Sequence, residues 1–228
     1  MLRAALVCLT LVSLTACTAT GPRTPYGRFM EARANPGKVV ATELAFVRAA
    51  QDDGQWTAFA EYSTDDAVMF VPEAVNAQDW LKGRDNPPQA VEWQPHEVWS
   101  SCDGSLAVTK GAWQRADGTF GYFTTIWERQ RDAEYRWVLD QGDALTEPLA
   151  KPEFVETTVA DCTEVLESTD GLIGDPESGL FAFDGASIDQ TVEWHAWVEP
   201  DKSRVLRVNI WKEGRSLEVL ESKVAAPE

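Results

Sequence analysis

Apolar and polar positions along residues 90–142 form four runs rich in aromatic and β-branched side chains, and the chain is organised around this stretch. Three aspartate-containing breaks separate the runs: Cys102-Asp103-Gly104, Ala116-Asp117-Gly118 and Arg131-Asp132-Ala133. Two of the breaks contain Asp-Gly, which favours hairpin turns because glycine adopts positive φ without strain. The pattern predicts a meandering antiparallel sheet with strands over about 90–101, 105–115, 119–130 and 135–142.

Helical spacing precedes this sheet. Asn35-Pro36 is typical of a helix start, since asparagine caps helices and proline fits their first turn. Val40, Leu44 and Val47 recur at i, i+4 and i+7, and Val39, Phe46 and Ala50 flank the same stripe. This spacing predicts an amphipathic helix over about 37–51. The next segments predict a second short helix at 55–62 and a buried strand at 67–71. A third short helix is predicted after Asn76, which caps it.

The composition changes after Asp143. Residues 152–201 carry thirteen acidic residues and no Lys or Arg. The stretch Asp170–Gly185 is punctuated by Gly and Asp and predicts a loop. Three β-like runs follow it, at Ile188–Val198, Val205–Trp211 and Ser216–Val224. They predict a three-strand antiparallel extension that packs on the larger sheet or extends it, because three strands alone are marginally stable.

The predicted order of elements is typical of an α+β domain: two helices, a short strand, a short helix and then the meander. Four segments carry a more specific pattern: Glu43–Phe46, Asp66–Pro72, Gly121–Arg129 and Tyr135–Asp140. They resemble the nuclear-transport-factor-2-like superfamily, in its SnoaL-like and ketosteroid-isomerase-like branches, over about residues 37–145. The resemblance implies a cone in which a curved antiparallel sheet wraps the helices around an open apolar pocket. It also implies a possible homodimer through the sheet. A fold alone does not identify a reaction.

Length and charge limit the classes of function. The chain has 228 residues, of which 44% are hydrophobic and ten are Trp, enough for a sizeable core. Its formal net charge is −17. A nucleic-acid-binding protein needs a basic surface, so we expect no nucleic-acid partner.

The N-terminus has the pattern of a targeting segment. Arg3 precedes the apolar run Ala4–Leu14, which is too short to span a bilayer. The run leads into Leu14-Thr15-Ala16-Cys17, which resembles a bacterial lipobox and implies lipidation at Cys17. Thr18 then resembles the outer-membrane address of a Gram-negative lipoprotein, facing the periplasm. The alternative is an ordinary secretory signal cut near Ala16.

These patterns divide the chain into five predicted segments. They are a lipoprotein signal peptide (1–16), a lipidated tether (17–36), the cone domain (37–145), an acidic connecting segment (146–186) and the three-strand β extension (187–228).

Two cysteines remain after the leader, Cys102 and Cys162. The space outside the inner membrane is oxidising, so we expect them to form a disulfide. The alternative is two separate buried thiols.

Relatives that catalyse are similar in placing a carboxylate beside a Tyr, or a His–Asp pair, inside the cone. An apolar pocket raises the pKa of a carboxyl and suits it to proton transfer. The catalytic candidates here are Asp140, His96, Tyr62 and Tyr122, with Asp143 also near the predicted pocket. The alternatives are a solvent-facing aspartate at a strand end and a surface histidine.

Aromatic residues are the candidates for lining the pocket: Trp56, Phe59, Trp93, Trp113 and Tyr122. The alternative is that they pack in the core. The two histidines lie far apart in the sequence and no cysteine is spare, so we expect no metal site and no cofactor.

Three functions fit these features. The first is a lipid-anchored envelope protein whose pocket binds a small apolar ligand, or whose surface binds a protein partner. The second is an isomerase, cyclase or dehydratase that uses a pocket acid or His for proton transfer. The third is a structural envelope component with a filled cone. The interior of the cone distinguishes them.

Overall fold

The computed structural model describes residues 34–162 and 181–226. The predicted signal peptide, lipidation site and most of the tether lie outside these residues, as does most of the predicted loop from Asp170. No helix in the described part of the chain is long and apolar enough to cross a membrane.

The described residues form three helices and eleven strands, in an α+β arrangement that confirms the predicted fold class. The helices are α1 Pro36–Asp52, α2 Gln55–Tyr62 and α3 Ala77–Leu81. The strands are β1 Ser63–Phe70, β2 Ala74–Asn76, β3 Glu92–Ser100, β4 Leu106–Gln114, β5 Phe120–Arg129, β6 Tyr135–Ala144, β7 Glu156–Val159, β8 Phe181–Ala186, β9 Val192–Val198, β10 Arg204–Lys212 and β11 Arg215–Val224.

The larger sheet has the strand order β2-β1-β6-β5-β4-β3-β7. Its centre is the predicted antiparallel meander of β3 to β6. Two strands that the hairpin pattern does not reveal join it in parallel: β1 lies beside β6, and β7 lies beside β3. Parallel neighbours are distant in sequence and have no turn signal between them, so β7 was not predicted.

Helix α1 begins as predicted, with the Asn35 side chain accepting a hydrogen bond from the Lys38 backbone N–H at 3.1 Å. Its buried face contains Val39, Phe46 and Ala50, which flank the predicted stripe, rather than the centre of that stripe. The fully buried positions are Val39, Glu43, Phe46 and Ala50, whereas Leu44 is 48% exposed. The stripe is therefore displaced by about one residue, because a charged side chain, Glu43, occupies the centre of the buried face.

Glu43 is buried among three hydrogen-bond donors from the sheet. Its Oε1 accepts from Trp93 Nε1 at 2.8 Å, and its Oε2 accepts from Thr109 Oγ1 at 2.6 Å and from Trp127 Nε1 at 3.2 Å. Burial raises the pKa of the carboxyl, and the three donors oppose that shift. Since the donors lie on β3, β4 and β5, one side chain of α1 is bound to three neighbouring strands.

The predicted C-terminal extension is present, but it has four strands rather than three. Its order is β11-β10-β9-β8. The sequence predicted a loop that ends at Gly185, but strand β8 occupies the last part of that stretch, including Asp184 and Gly185. Gly185 is needed for packing rather than for a turn, because a Cβ at this position would lie 2.6 Å from Trp194 Nε1.

This second sheet packs on the face of the larger sheet that points away from the helices. The apolar side chains between the two sheets form one buried cluster: Trp99, Leu106, Val108, Ile126, Leu139, Ala160, Val192, Trp194, Ala196, Leu206, Val208, Ile210 and Leu220. The helices cover the opposite face with a second cluster that includes Val39, Phe46, Trp127 and Trp137. The larger sheet is therefore a middle layer with a core on each side.

Cys102 and Cys162 form the predicted disulfide, with their Cα atoms 5.1 Å apart. The alternative of two separate thiols is excluded. The bond joins the β3–β4 turn to the segment after β7, and the turn is also held by Cys102 N–H donating to Thr191 Oγ1 at 3.0 Å. Closing a loop of 60 residues stabilises the fold by about 4 kcal/mol on the chain-entropy model.

We predict that Glu43→Gln lowers the free energy of unfolding by about 3 kcal/mol. A Gln side chain has one acceptor oxygen, so at least one buried donor among Trp93, Thr109 and Trp127 loses its partner. Urea unfolding followed by tryptophan fluorescence measures the change. The matched control is Glu61→Gln on the exposed face of α2, where we expect a change below about 0.5 kcal/mol. Equal stabilities for Glu43→Gln and the parent would contradict the role given to this carboxyl.

Candidate functional site

A cavity of about 340 Å³ lies between the helices and the inner face of the larger sheet. Helices α1 and α2 supply one wall, and the ends of β1, β4, β5 and β6 supply the other. The apolar side chains of the lining are Phe46, Trp56, Phe59, Met69, Phe70, Val71, Val91, Trp93, Trp113 and Phe123. The cone is therefore a pocket domain with an apolar interior.

Strand alternation decides which residues of β5 and β6 face the cavity. Phe123 and Thr125 line it, whereas Tyr122, between Gly121 and Phe123, points to the second sheet and places its hydroxyl 2.8 Å from Ser222 Oγ. Thr125 is paired with Asp140 on β6. Asp140 therefore shares the inner face, because directly opposed residues of an antiparallel pair project to the same side.

Asp140 is a carboxyl in an otherwise mostly apolar surface. Its Oδ1 accepts a hydrogen bond from Thr125 Oγ1 at 2.7 Å, and its Oδ2 accepts none from a residue in the described ranges. Burial raises its pKa to about 7, against the opposing effect of the Thr125 hydrogen bond. The negative charge of Glu43 raises the pKa further, and Arg204 lowers it. Near neutral pH the carboxyl therefore exists in both protonation states and can donate or accept a hydrogen bond.

Of the other catalytic candidates, Tyr62, His96 and Tyr122 do not line this cavity, whereas Asp143 does. Tyr62 stacks on Phe46, with ring centroids 5.0 Å apart, and packs against the core. His96 lies at the irregularity of β3 between Pro95 and Glu97, with its Nε2 3.2 Å from Gln94 Nε2. Burial lowers the pKa of His96. Asp143 borders the cavity, but it is paired with Tyr122 on the strand positions that face the second sheet.

Four of the five pocket candidates, Trp56, Phe59, Trp93 and Trp113, line the cavity. Tyr122 is the exception, and its hydroxyl instead joins the two sheets. Trp93 contributes twice, because its ring borders the cavity and its Nε1 binds Glu43.

The sequence analysis missed several residues in or beside the site, among them Thr125, Arg115 and Arg204. Thr125 holds the carboxyl of Asp140, and Arg115 lines the cavity just beyond the end of β4. The spacing gave a signal for Arg115, since it lies two residues after Trp113 and so on the same face. Arg204 reaches across from β10, donating from Nη2 to the Gly142 carbonyl at 2.8 Å. No local pattern indicates this last contact, because it joins two sheets.

Metal ligation was also considered. In residues 34–162 and 181–226, no three His, Cys, Asp or Glu side chains converge as metal ligands do.

Comparison with known proteins gives partial structural likenesses. No protein-family model matches the chain, and no curated protein matches it. A solved structure described as a "putative ketosteroid isomerase" from Parabacteroides distasonis is 16% identical, with a TM-score of 0.39, over 51% of this chain and 97% of that one. A protein from Catenulispora acidiphila, solved in complex with S-DNPA, is 12% identical, with a TM-score of 0.36, over 48% of this chain and 92% of that one.

The raised pKa of Asp140 predicts a specific pH dependence of stability. The pKa of an aspartate in the unfolded chain is about 4, and in the folded protein that of Asp140 is about 7. Below pH 4 both states hold the proton, and the group does not affect stability. Between pH 4 and 7 only the unfolded state releases it, so the free energy of unfolding falls as the pH rises.

We therefore expect Asp140→Asn to be stabilising relative to the parent, by an amount that grows from pH 4 to 7 and is constant above. The full shift corresponds to about 4 kcal/mol, reduced by any water that the cavity admits to the carboxyl. Urea unfolding at a series of pH values measures it. Asp65→Asn, at an exposed position of β1, is the control and should show no such pH trend. A flat difference for Asp140→Asn would exclude the raised pKa.

Proposed function

We propose that this protein binds a small, largely apolar ligand in the cone cavity, and that it does so as a lipid-anchored protein of the Gram-negative cell envelope. The observation that supports binding is the cavity itself, which has about 340 Å³ of free space and aromatic walls. Binding pockets for small molecules have this character, with many apolar contacts and few polar ones. A cone packed shut, as a purely structural component would have, does not fit this interior.

Asp140 is the group that we expect to orient the ligand. An isolated polar group in an apolar pocket discriminates strongly, because a ligand that leaves it unpaired loses the hydrogen bond. In its protonated form the Asp140 carboxyl donates to a ligand oxygen, and in its ionised form it accepts from a hydroxyl or amine.

Proton transfer is the second candidate function, and the pKa of Asp140 favours it specifically. General acid–base catalysis is most effective when the pKa of the catalytic group lies near the working pH, and that of Asp140 is about 7. The two functions separate experimentally. If the protein only binds, the parent releases its ligand chemically unaltered, whereas an enzyme converts its substrate and loses that conversion in Asp140→Asn.

We predict that the chain from residue 18 onward, produced in an oxidising compartment, binds the neutral apolar probe N-phenyl-1-naphthylamine with one site per chain. Val71→Trp should weaken this binding at least about tenfold, because Val71 lines the cavity and the larger indole fills part of its free space. Titration of the probe fluorescence measures the affinity.

Leu44→Trp is the matched control, since it adds an indole at a position that is 48% exposed on α1, away from the cavity. We expect its affinity to equal that of the parent. Absence of probe binding by the parent, or equal weakening by both substitutions, would refute binding in the cone.

The envelope location is supported by Leu14-Thr15-Ala16-Cys17 and by Thr18. We predict that Cys17→Ala abolishes incorporation of labelled palmitate and releases the protein from the membrane fraction, because a diacylated cysteine gives stable anchoring. Fractionation of cells that express the parent and the variant tests this. Retention of Cys17→Ala in the membrane fraction would disprove the lipid anchor.

A further inference from the structure

We propose that the ligand of the cavity is an amphipathic acid, whose carboxylate binds Arg115 at one end of the pocket while a hydrogen-bonding group at the other end meets Asp140. This inference rests on the proposed function and adds the chemical class of the ligand.

Arg115 is held at the edge of the cavity by its backbone hydrogen bonds and by the ring of Trp113, on which its guanidinium stacks. Its backbone N–H donates to the Thr119 carbonyl at 2.8 Å, and its carbonyl accepts from the Gly118 N–H at 3.0 Å, so the residue is fixed in the β4–β5 turn. Its guanidinium lies over the ring of Trp113, 4.4 Å from the centroid. A stacked guanidinium keeps its in-plane N–H donors available for a carboxylate.

Two contacts hold the indole of Trp113 in place, so the ring on which Arg115 stacks is rigid. Its Nε1 donates to the Tyr122 carbonyl at 2.9 Å. The ring lies against Gly121, where a side chain would collide with it. The guanidinium of Arg115 is therefore held in one position beside the apolar lining of the cavity.

Arg115 is available to an anion. Within the described residues its guanidinium has no carboxylate within 4.0 Å. The nearby acid in the same turn, Asp117, accepts from the backbone N–H and the hydroxyl of Thr119 through Oδ1, at 2.9 and 2.7 Å. Arg115 is the basic side chain in a lining that also contains Asp140 and Asp143. The hydrogen bonds from Thr119 lower the pKa of Asp117, and the charge of Arg115 helps to lower it. Arg115 is the group of this lining that can attract an anionic ligand.

Strand register gives the separation of the two polar ends. Trp113 is paired with Gly121 on β5, and Asp140 with Thr125 on the same strand. Along the strands the two levels are four residues, or about 13 Å, apart, and β4 and β6 lie about 10 Å from each other on either side of β5. Over this distance Arg115 and Asp140 do not form an ion pair with each other. The aromatic lining between them fits an apolar body about two rings long.

The test uses an isosteric pair of compounds of this length. Each compound is titrated against the chain from residue 18 onward, loaded with N-phenyl-1-naphthylamine. One compound is 4′-hydroxybiphenyl-4-carboxylate, and the other is the neutral 4′-hydroxybiphenyl-4-carboxamide. We expect the parent to bind the acid about tenfold more tightly than the amide, since hydrogen bonds to a charged group are the stronger ones. This preference should shrink as salt is added.

Arg115→Gln should bind the two compounds equally, and Arg115→Lys should retain part of the preference for the acid. The control is Arg84→Gln. Arg84 also stacks on a tryptophan, with its guanidinium 3.4 Å from the Trp80 centroid, but it does not line this cavity, so its removal should leave the preference intact. Retained probe binding shows that each variant is folded.

The outcomes separate the two proposals. If the parent binds the probe but prefers the amide or shows no preference, the ligand class is wrong and the proposed function stands. A preference that survives in Arg115→Gln overturns the role of Arg115. If the parent binds neither the probe nor the two compounds, the proposed function itself fails.

Discussion

The buried carboxyl of Glu43 is the constraint on which the arrangement of this molecule depends. A charge-bearing group in a core is tolerated only when its lone pairs are satisfied, and here the donors come from Trp93, Thr109 and Trp127 on three neighbouring strands. A slip of any of these strands by one residue would turn a donor to the opposite face. The carboxyl therefore fixes the position of α1 against the sheet. Phe46, one turn further along α1, is thereby placed in the wall of the cavity.

The C-terminal sheet completes the same site from the opposite side. Around Asp140, the neighbouring residues of β6 are held by β10 and β11: Gln141 donates to Ser222 Oγ at 3.0 Å, and the Gly142 carbonyl accepts from Arg204. Arg204 also lies over Phe70, a residue of the cavity wall, 4.8 Å from the ring centroid. The part of the chain that the superfamily resemblance does not cover thus supports the strand that carries the candidate acid.

Local sequence signals predicted the elements that depend on local physics. The Asp-Gly turns specified the meander, and Asn35 and Asn76 specified helix starts, because turn and cap preferences act over a few residues. Asp140 and Trp113 were candidates for the cavity, but the strand pattern alone did not decide which face they occupy; the structure places both in the lining. What failed depended on distant partners: β7 pairs in parallel across the sheet, Gly185 serves packing, and Glu43 is buried only because three strands supply donors. Tyr122 was expected in the pocket, but it lies on the strand positions that face the second sheet. His96 was also a candidate, but it lies at the irregularity of β3 near Pro95.

The two-sided burial of the larger sheet bears on how the molecule meets its partners. The expectation of a homodimer through the sheet requires a free outer face, but in this chain Val108, Ile126 and Leu139 on that face pack against β9, β10 and β11. A second copy therefore does not pack directly on these three residues. The cavity, by contrast, is built from elements of one chain, with α1, α2 and β6 supplying Phe46, Trp56 and Asp140. These three side chains all come from one chain, and the homodimer through the sheet stays a prediction.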